Sequence, residues 1–126
     1  MPNFSLRSRQ QRRPNNMTIK ELQKTIKEVD SFIVKKMGNF SNPNLVRCLK
    51  AQEELGEVAD VLVKMELGSR KGKMDIESGK EELGKEITDV IVPLIAIADS
   101  YDIDLEPIFE KKLKQDIERY RKAEQN

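Results

Sequence analysis

The sequence predicts an all-α protein of four helices, and three observations support this prediction. Apolar residues recur every three or four positions through four long stretches, which is the spacing of one face of an α-helix. Residues that commonly cap helices stand close to where several of these stretches begin. No stretch has the pattern that is typical of a β-strand. The fold class expected is therefore a four-helix, bundle-like domain.

The first 16 residues predict a disordered basic arm. They are polar, contain two prolines and show no periodicity. Their arginines carry positive charge, but we do not expect nucleic acid as a partner. A single helical domain is expected to follow at residues 17–126, which is an ordinary length for one domain.

The first helix is predicted to start at Thr18, whose hydroxyl can cap the helix while Glu21 completes a capping box. It runs to about Met37, and Gly38 ends it. Its predicted apolar face comprises Ile19, Leu22, Ile26, Val29, Ile33 and Val34.

A turn at residues 39–43 leads to the second helix, predicted at residues 44–67. A polar connection with three glycines follows, and Ser78 with Glu81 predicts the start of the third helix. The apolar stripes expected to be buried are Leu55, Val58, Leu62 and Met65 in the second helix, and Leu83, Ile87, Val90, Ile91, Leu94 and Ala98 in the third.

The third helix is predicted to continue to about Ser100. It is apolar almost all round from Ile87 to Ala98, which predicts a central helix buried on several sides. Pro93 either kinks it beside Asp89 or is tolerated by the packing, and both interpretations stay open. The fourth helix is predicted from Asp104 to Arg121.

Composition excludes several classes of function. The chain has no histidine, which rules out schemes that depend on a histidine base and makes a catalytic zinc site unexpected. Its single cysteine, Cys48, allows no internal disulfide and fits a reducing cytoplasm, so we expect a cytoplasmic location. No apolar run approaches the roughly 18 residues that a membrane span needs, so no membrane partner is expected.

Two short carboxylate pairs carry the chemistry. Glu54 and Glu57 lie in the second predicted helix, and Glu86 and Asp89 lie in the third. Residues three apart share one face of a helix, so each pair can direct two oxygen ligands to one point. Carboxylates suit Mg²⁺ and Mn²⁺, and Mg²⁺ commonly binds substrate phosphates as well. The pattern therefore indicates phosphate chemistry.

The positions of these pairs on their helices argue against a merely solvated charged face. At about 100° per residue, Glu54 and Glu57 lie roughly 60° and 120° from the centre of the apolar stripe. Glu86 and Asp89 have similar offsets in the same rotational sense, whereas Asp60 points to the opposite side. We therefore predict matching acidic margins beside two buried faces.

The order of these residues resembles the signature of the MazG-like, all-α nucleoside triphosphate pyrophosphohydrolases. The family pattern is EExxE followed by ExxD, and here the doubled glutamate is Glu53 and Glu54. The resemblance covers roughly residues 18 to 122. It implies an Mg²⁺-dependent hydrolysis of a nucleoside or deoxynucleoside triphosphate to the monophosphate and pyrophosphate, with Mn²⁺ as a substitute ion.

The resemblance also implies roles for individual residues. The implied metal ligands are Glu54, Glu57, Glu86 and Asp89. Glu53 is the implied water-activating base. Its angle on the helix leaves open the alternative in which Glu54 is the base and Glu82 supplies a ligand.

In the fourth helix the residues that match substrate-binding positions are Lys112, Asp116, Arg119 and Tyr120. Asp116 departs from the asparagine of relatives such as the dCTP pyrophosphatases, and Pro93 replaces an aromatic residue of those relatives. Their base preference is therefore not transferred to this chain.

Two further expectations concern partners. A helix that is apolar almost all round needs a partner to cover it, and the resembled family forms dimers or tetramers, so a homodimer or tetramer is expected. The alternative function is a non-catalytic helical interaction module whose acidic face binds a basic partner. A phosphohydrolase that acts on another pyrophosphate is a further alternative.

Overall fold

The computed structural model describes residues 17–38, 40–68 and 71–126. These ranges contain four helices and no strand, so the all-α prediction is confirmed. The predicted arm at residues 1–16 lies outside the described residues. In chain order the helices are α1 (Ile19–Met37), α2 (Pro43–Glu66), α3 (Ile76–Ser100) and α4 (Leu105–Gln125).

Side-chain caps fix the starts of two helices where they were predicted. The hydroxyl of Thr18 accepts a hydrogen bond of 3.1 Å from the backbone N–H of Glu21 at the start of α1. At α4, the carboxylate of Asp104 accepts from the N–H of Glu106 at 3.2 Å. Each bond satisfies one of the N–H groups that the first turn of a helix leaves without a partner.

The predicted start of α3 was wrong by about one turn. Asp75, not Ser78, is the N-cap residue, and its carboxylate accepts from the N–H of Ser78 at 3.4 Å. Ser78 therefore lies inside the helix. At α2 the helix begins at Pro43, because the fixed backbone angle of proline suits the first helical position.

The described chain divides into two compact units, and the division falls inside α1 after Thr25. The smaller unit combines residues 17–25 with residues 104–126. In it, the side-chain oxygen of Gln23 accepts from the N–H of Leu105 at 3.0 Å, and a carboxylate oxygen of Glu106 accepts from the N–H of Lys20 at 3.3 Å. The N-terminal ends of α1 and α4 thus cap each other.

The larger unit, residues 26–103, contains α2 packed antiparallel on α3. The amide of Asn44, at the start of α2, donates to the hydroxyl of Ser100, at the end of α3, at 2.8 Å. At the other end of this hairpin, Met65 of α2 lies against Gly79 of α3. Its core consists of Ile26, Ala51, Val61, Ile95, Ala96 and Ala98.

A paired charge joins α1 to α2 in the same unit. Two nitrogens of the Arg47 guanidinium donate to the two carboxylate oxygens of Asp30, at 3.1 and 2.7 Å. Arg47 also donates to the side-chain oxygen of Asn44 at 2.6 Å. The Arg47 and Asp30 side chains are 15% and 21% exposed, so this bidentate pair is largely shielded from water.

The predicted stripes are buried only in part, since Val58, Met65, Leu83 and Val90 are half-buried and Ala98 is buried. Leu55 remains 57% exposed and Ile91 42% exposed, and Leu62, Ile87 and Leu94 are exposed as well. Within the single chain, α3 is buried at Ile95, Ala96 and Ala98, and its burial on several sides stays a prediction that depends on a partner. The α2–α3 seam follows buried and half-buried residues that are spaced alternately three and four apart: Ala51, Glu54, Val58, Val61 and Met65 in α2, and Gly79, Leu83, Glu86 and Val90 in α3.

None of the helices that the structure describes combines the length and the apolar character needed to cross a membrane.

Candidate metal centre

Two glutamates occupy positions in the α2–α3 seam where an ordinary helical hairpin carries apolar side chains. Glu54 follows Ala51 by three residues and precedes Val58 by four, and Glu86 stands in the same relation to Leu83 and Val90. Both are half-buried, although they were predicted at the margin of the apolar stripes. The two glutamates belong to adjacent helices, and their carboxylate oxygens lie within 4.8 Å of each other.

Glu54, Glu86 and Asp89 form the carboxylate triad. One oxygen of each lies within 4.8 Å of an oxygen of the other two. Neighbouring ligand oxygens around Mg²⁺ are about 3 Å apart and opposite ones about 4.2 Å, as follows from Mg–O distances near 2.1 Å. The upper limit of 4.8 Å in the triad is less than about 1 Å beyond the wider of these spacings.

The triad concentrates negative charge on two half-buried side chains, Glu54 and Glu86, and on the exposed Asp89. Partial burial raises the pKa of Glu86 above its ordinary value, and the charges of Asp89, Glu54 and Glu57 raise it further. The positive charge of Lys85 acts in the opposite direction. A carboxylate with these surroundings gains from a nearby cation, since the cation favours its charged form.

Glu57 and Glu53 lie outside the triad. Glu57 is exposed, and its charge reaches Glu86, so it lies beside the triad on the same side of the hairpin. The Glu53 side chain is 67% exposed and forms an ion pair of 3.5 Å with Lys50. Of the four predicted ligands, the structure thus gathers three, with the fourth close by. The predicted roles of Glu53 and Glu82 in catalysis and ligation stay predictions.

Lys50 is the residue of this site that the sequence prediction missed. Its ammonium nitrogen lies 3.0 Å from a carboxylate oxygen of Glu54, whose side chain is only 15% exposed. The hydrogen bond to Glu54, followed by the charge of Glu53, raises the pKa of Lys50. The available signal was the four-residue spacing of Lys50 and Glu54, which makes neighbours on a helix surface.

The four predicted substrate-binding residues form a cluster on α4, in the smaller unit. Lys112 donates to both carboxylate oxygens of Asp116, at 2.7 and 2.8 Å, and Arg119 donates to one of them at 3.3 Å. The guanidinium of Arg119 also lies 5.1 Å from the centre of the Tyr120 ring. The hydrogen bond from Lys112, together with the positive charges of Lys112 and Arg119, holds the pKa of Asp116 below its ordinary value. The structure therefore brings these four together with each other.

The hairpin has a second side that is apolar. At about 100° per residue, Leu55 and Leu62 are turned from the seam in one rotational sense, and Glu57 in the other. In α3, Ile87, Ile91 and Leu94 are turned in the first sense and Asp89 in the second. Equal rotations on two antiparallel helices lead to the same side of the pair, so the exposed apolar residues make one face, which we call the apolar face. It comprises Leu55, Leu62, Ile87, Ile91 and Leu94.

The donor set fits a hard divalent cation. Carboxylate oxygens are the ligands that Mg²⁺ and Mn²⁺ prefer, and three protein ligands leave octahedral positions for water or phosphate oxygens. Zinc would favour histidine or cysteine, and the chain has no histidine.

Comparisons with protein-family models, with curated proteins and with solved structures each found no match to this chain.

Proposed function

We propose that this protein is a MazG-like nucleotide pyrophosphohydrolase, which converts an NTP or dNTP to the monophosphate and pyrophosphate with Mg²⁺ as cofactor. The observation that carries the proposal is the carboxylate triad, because residues from both halves of the EExxE and ExxD signature come within 4.8 Å of one another. The four-helix, all-α fold agrees with the proposal.

In this proposal Glu54, Glu86 and Asp89 would hold the cation, with Glu57 as the fourth ligand. A bound Mg²⁺ supplies charge neutralisation for the triphosphate and activation of the attacking water at the α-phosphorus. The seam fixes Glu54 and Glu86 in place, because each is flanked by buried or half-buried neighbours on its own helix. Glu53 accepts the proton of the water in this proposal; in the alternative, Glu54 is the base and Glu82 takes its place as a ligand.

Lys112, Arg119 and Tyr120 are proposed to contact the substrate, with the two cations directed at phosphate oxygens. Asp116 holds both of these cations by hydrogen bonds, which orders them while reducing their net charge. A triphosphate carries more negative charge than one carboxylate and is expected to compete for them.

We also propose a homodimer or a tetramer, with the apolar face covered by a second copy of the chain. Five large aliphatic side chains on one side of a hairpin form the kind of surface that marks an interaction site. The carboxylate triad lies toward the other side, so the metal centre stays accessible in this arrangement.

The decisive experiment measures pyrophosphate release from a panel of ribo- and deoxynucleoside triphosphates with Mg²⁺ or Mn²⁺. Glu86→Gln removes one charge from the triad and is expected to reduce the rate by at least about 100-fold. Glu81→Gln makes the same chemical change at an exposed position of α3 outside the triad and is expected to leave the rate unchanged. Glu57→Gln tests the fourth predicted ligand.

Three results would contradict the proposal. Release of orthophosphate in place of pyrophosphate refutes attack at the α-phosphorus. Equal rates for Glu86→Gln and Glu81→Gln refute the role of the triad. An absence of hydrolysis with every nucleotide, in a folded protein, favours the non-catalytic interaction module.

A further inference from the structure

Lys50 stands between a carboxylate of the triad and a carboxylate outside it. Its ammonium nitrogen lies 3.0 Å from Glu54 and 3.5 Å from Glu53. Glu54 belongs to the triad, whereas Glu53 projects into solvent. The ammonium group of Lys50 therefore binds the same carboxylate, Glu54, that would bind the metal ion under the proposed function.

We propose that Lys50 competes with the divalent cation for Glu54, holding this carboxylate in the metal-free protein and transferring to Glu53 when the cation binds. This inference rests on the proposed function, because it requires a metal at the triad. It assigns Lys50 a positioning role that sets the metal affinity.

Electrostatics requires some such exchange. A metal ion bound to Glu54 and an ammonium hydrogen-bonded to the same carboxylate would lie within a few ångströms of each other, where two positive charges repel strongly. Lysine is suited to move away, since its charge sits at the end of a flexible four-carbon chain with three rotatable donors.

The local geometry provides the second position. Glu53 and Glu54 are three and four residues after Lys50, so both lie within reach on the same helix surface. The Lys50 side chain is half exposed, and no backbone change is needed for it to leave Glu54. After the exchange it stays beside the metal centre with its charge paired by Glu53.

Lys85 provides a matched control. Its side chain is exposed and lies near the triad, since its charge lowers the pKa of Glu86. Among the described side chains, however, it forms no ion pair with the triad. Replacing either lysine by methionine removes one positive charge near the triad, but only the change at Lys50 removes a direct competitor.

The test measures the binding of Mg²⁺ and of Mn²⁺ to the full chain by calorimetry, without nucleotide. Lys50→Met is expected to bind about threefold to fivefold more tightly than the unaltered protein, which is the size of one accessible ion pair. Lys85→Met is expected to change the affinity by less than about twofold. Lys50→Gln gives the same comparison if the methionine variant does not fold.

A second measurement follows Lys50 itself in the unaltered protein. Reductive methylation with a carbon-13 label keeps the lysine charges, and the Lys50 signal is identified by its absence in Lys50→Met. Addition of Mg²⁺ is expected to shift this signal as the ammonium leaves Glu54.

The outcomes separate this inference from the proposed function. Equal metal affinities in the unaltered protein, Lys50→Met and Lys85→Met, or an unmoved Lys50 signal on saturation, overturn the role of Lys50 while the metal centre stands. No metal binding by any of the three proteins overturns both proposals. Tighter binding by Lys50→Met alone supports the exchange.

Discussion

A methyl group added at Gly79 tests how α2 packs on α3. An ideal Cβ at this position would lie 2.8 Å from both Cγ and Sδ of Met65 and 2.9 Å from its Cε, which is too close for an undisturbed contact. Gly56, in α2, offers the matched control because nothing lies within 4 Å of its ideal Cβ. Gly79→Ala and Gly56→Ala are therefore the same chemical change in two environments.

The two substitutions share one favourable contribution. Alanine favours a helix over glycine by about 1 kcal/mol, so Gly56→Ala is expected to raise the free energy of unfolding by about that amount. At Gly79 the crowding opposes this gain, and overpacking commonly costs about 1–3 kcal/mol. Methionine is flexible, so the lower half of that range applies. The expected difference between the two variants is about 1–2 kcal/mol.

Urea unfolding followed by circular dichroism measures this difference, at one protein concentration because assembly would make the stability depend on concentration. Met65→Ala in the Gly79→Ala background should recover part of the loss, since it removes the crowded side chain. Equal stabilisation by Gly79→Ala and Gly56→Ala would refute the close approach of α2 and α3 at this end of the hairpin.

Four further predictions concern the candidate site, the Arg47–Asp30 pair and the apolar face. In metal-free buffer, stability is expected to fall as the pH rises through the raised pKa of Glu86, because the folded state binds the proton more tightly than the unfolded state; thermal unfolding at several pH values should show this fall, and Glu86→Gln should abolish its Glu86 component. Metal affinity should weaken as the pH drops through the same window, which calorimetry can measure, because protons compete for the ligand. Arg47→Met should lower the free energy of unfolding by about 1–3 kcal/mol in urea titrations by leaving Asp30 half-buried without its partner, and an effect near zero would contradict this. If the proposed dimer or tetramer forms through the apolar face, Ile91→Lys should give monomers in sedimentation experiments, whereas Leu49→Lys, at an exposed position turned away from the apolar face, should not.

The helices could be predicted from sequence because their ends carry local chemical signals. Thr18 caps α1 as expected, and Asp104, where the fourth helix was predicted to start, caps α4. The start of α3 was ambiguous, because Asp75 stands three residues before Ser78, just as Ser78 stands three residues before Glu81. Both arrangements provide a cap, and the structure uses the earlier one, which adds a turn to α3.

The buried face was predicted only in part, because side-chain size did not show which large residues the α2–α3 contact covers. The large residues Leu55 and Ile91 suggested the centre of the contact, yet the seam uses small residues such as Ala51 and Gly79. Small side chains permit two helices to approach closely, and the larger ones beside them stay exposed in the described chain. An apolar stripe on a helix arises from packing within the chain and equally from packing against a second copy of the chain. Hydrophobic periodicity does not distinguish these two kinds of contact.

The candidate site was predicted in outline for a related reason. The spacing of Glu54, Glu86 and Asp89 is local and placed all three correctly on one side of their helices. The burial of Glu54 and Glu86 could not be predicted from local spacing, because it depends on which faces of α2 and α3 pack together. The packed faces are rotated toward these two glutamates. Hydrophobic periodicity carries no information on whether the four residues clustered on α4 act together with the triad of the α2–α3 hairpin.

Placing glutamates at two seam positions has a consequence for how this protein can change by mutation. Glu54→Leu together with Glu86→Leu would give a continuous aliphatic seam, and a screen that selects only for thermal resistance is expected to favour such replacements. The resulting variants would keep the fold while losing two of the three gathered oxygen donors. Selection for heat resistance alone is thus expected to remove Glu54 and Glu86. Their retention requires selection for a different property of the hairpin.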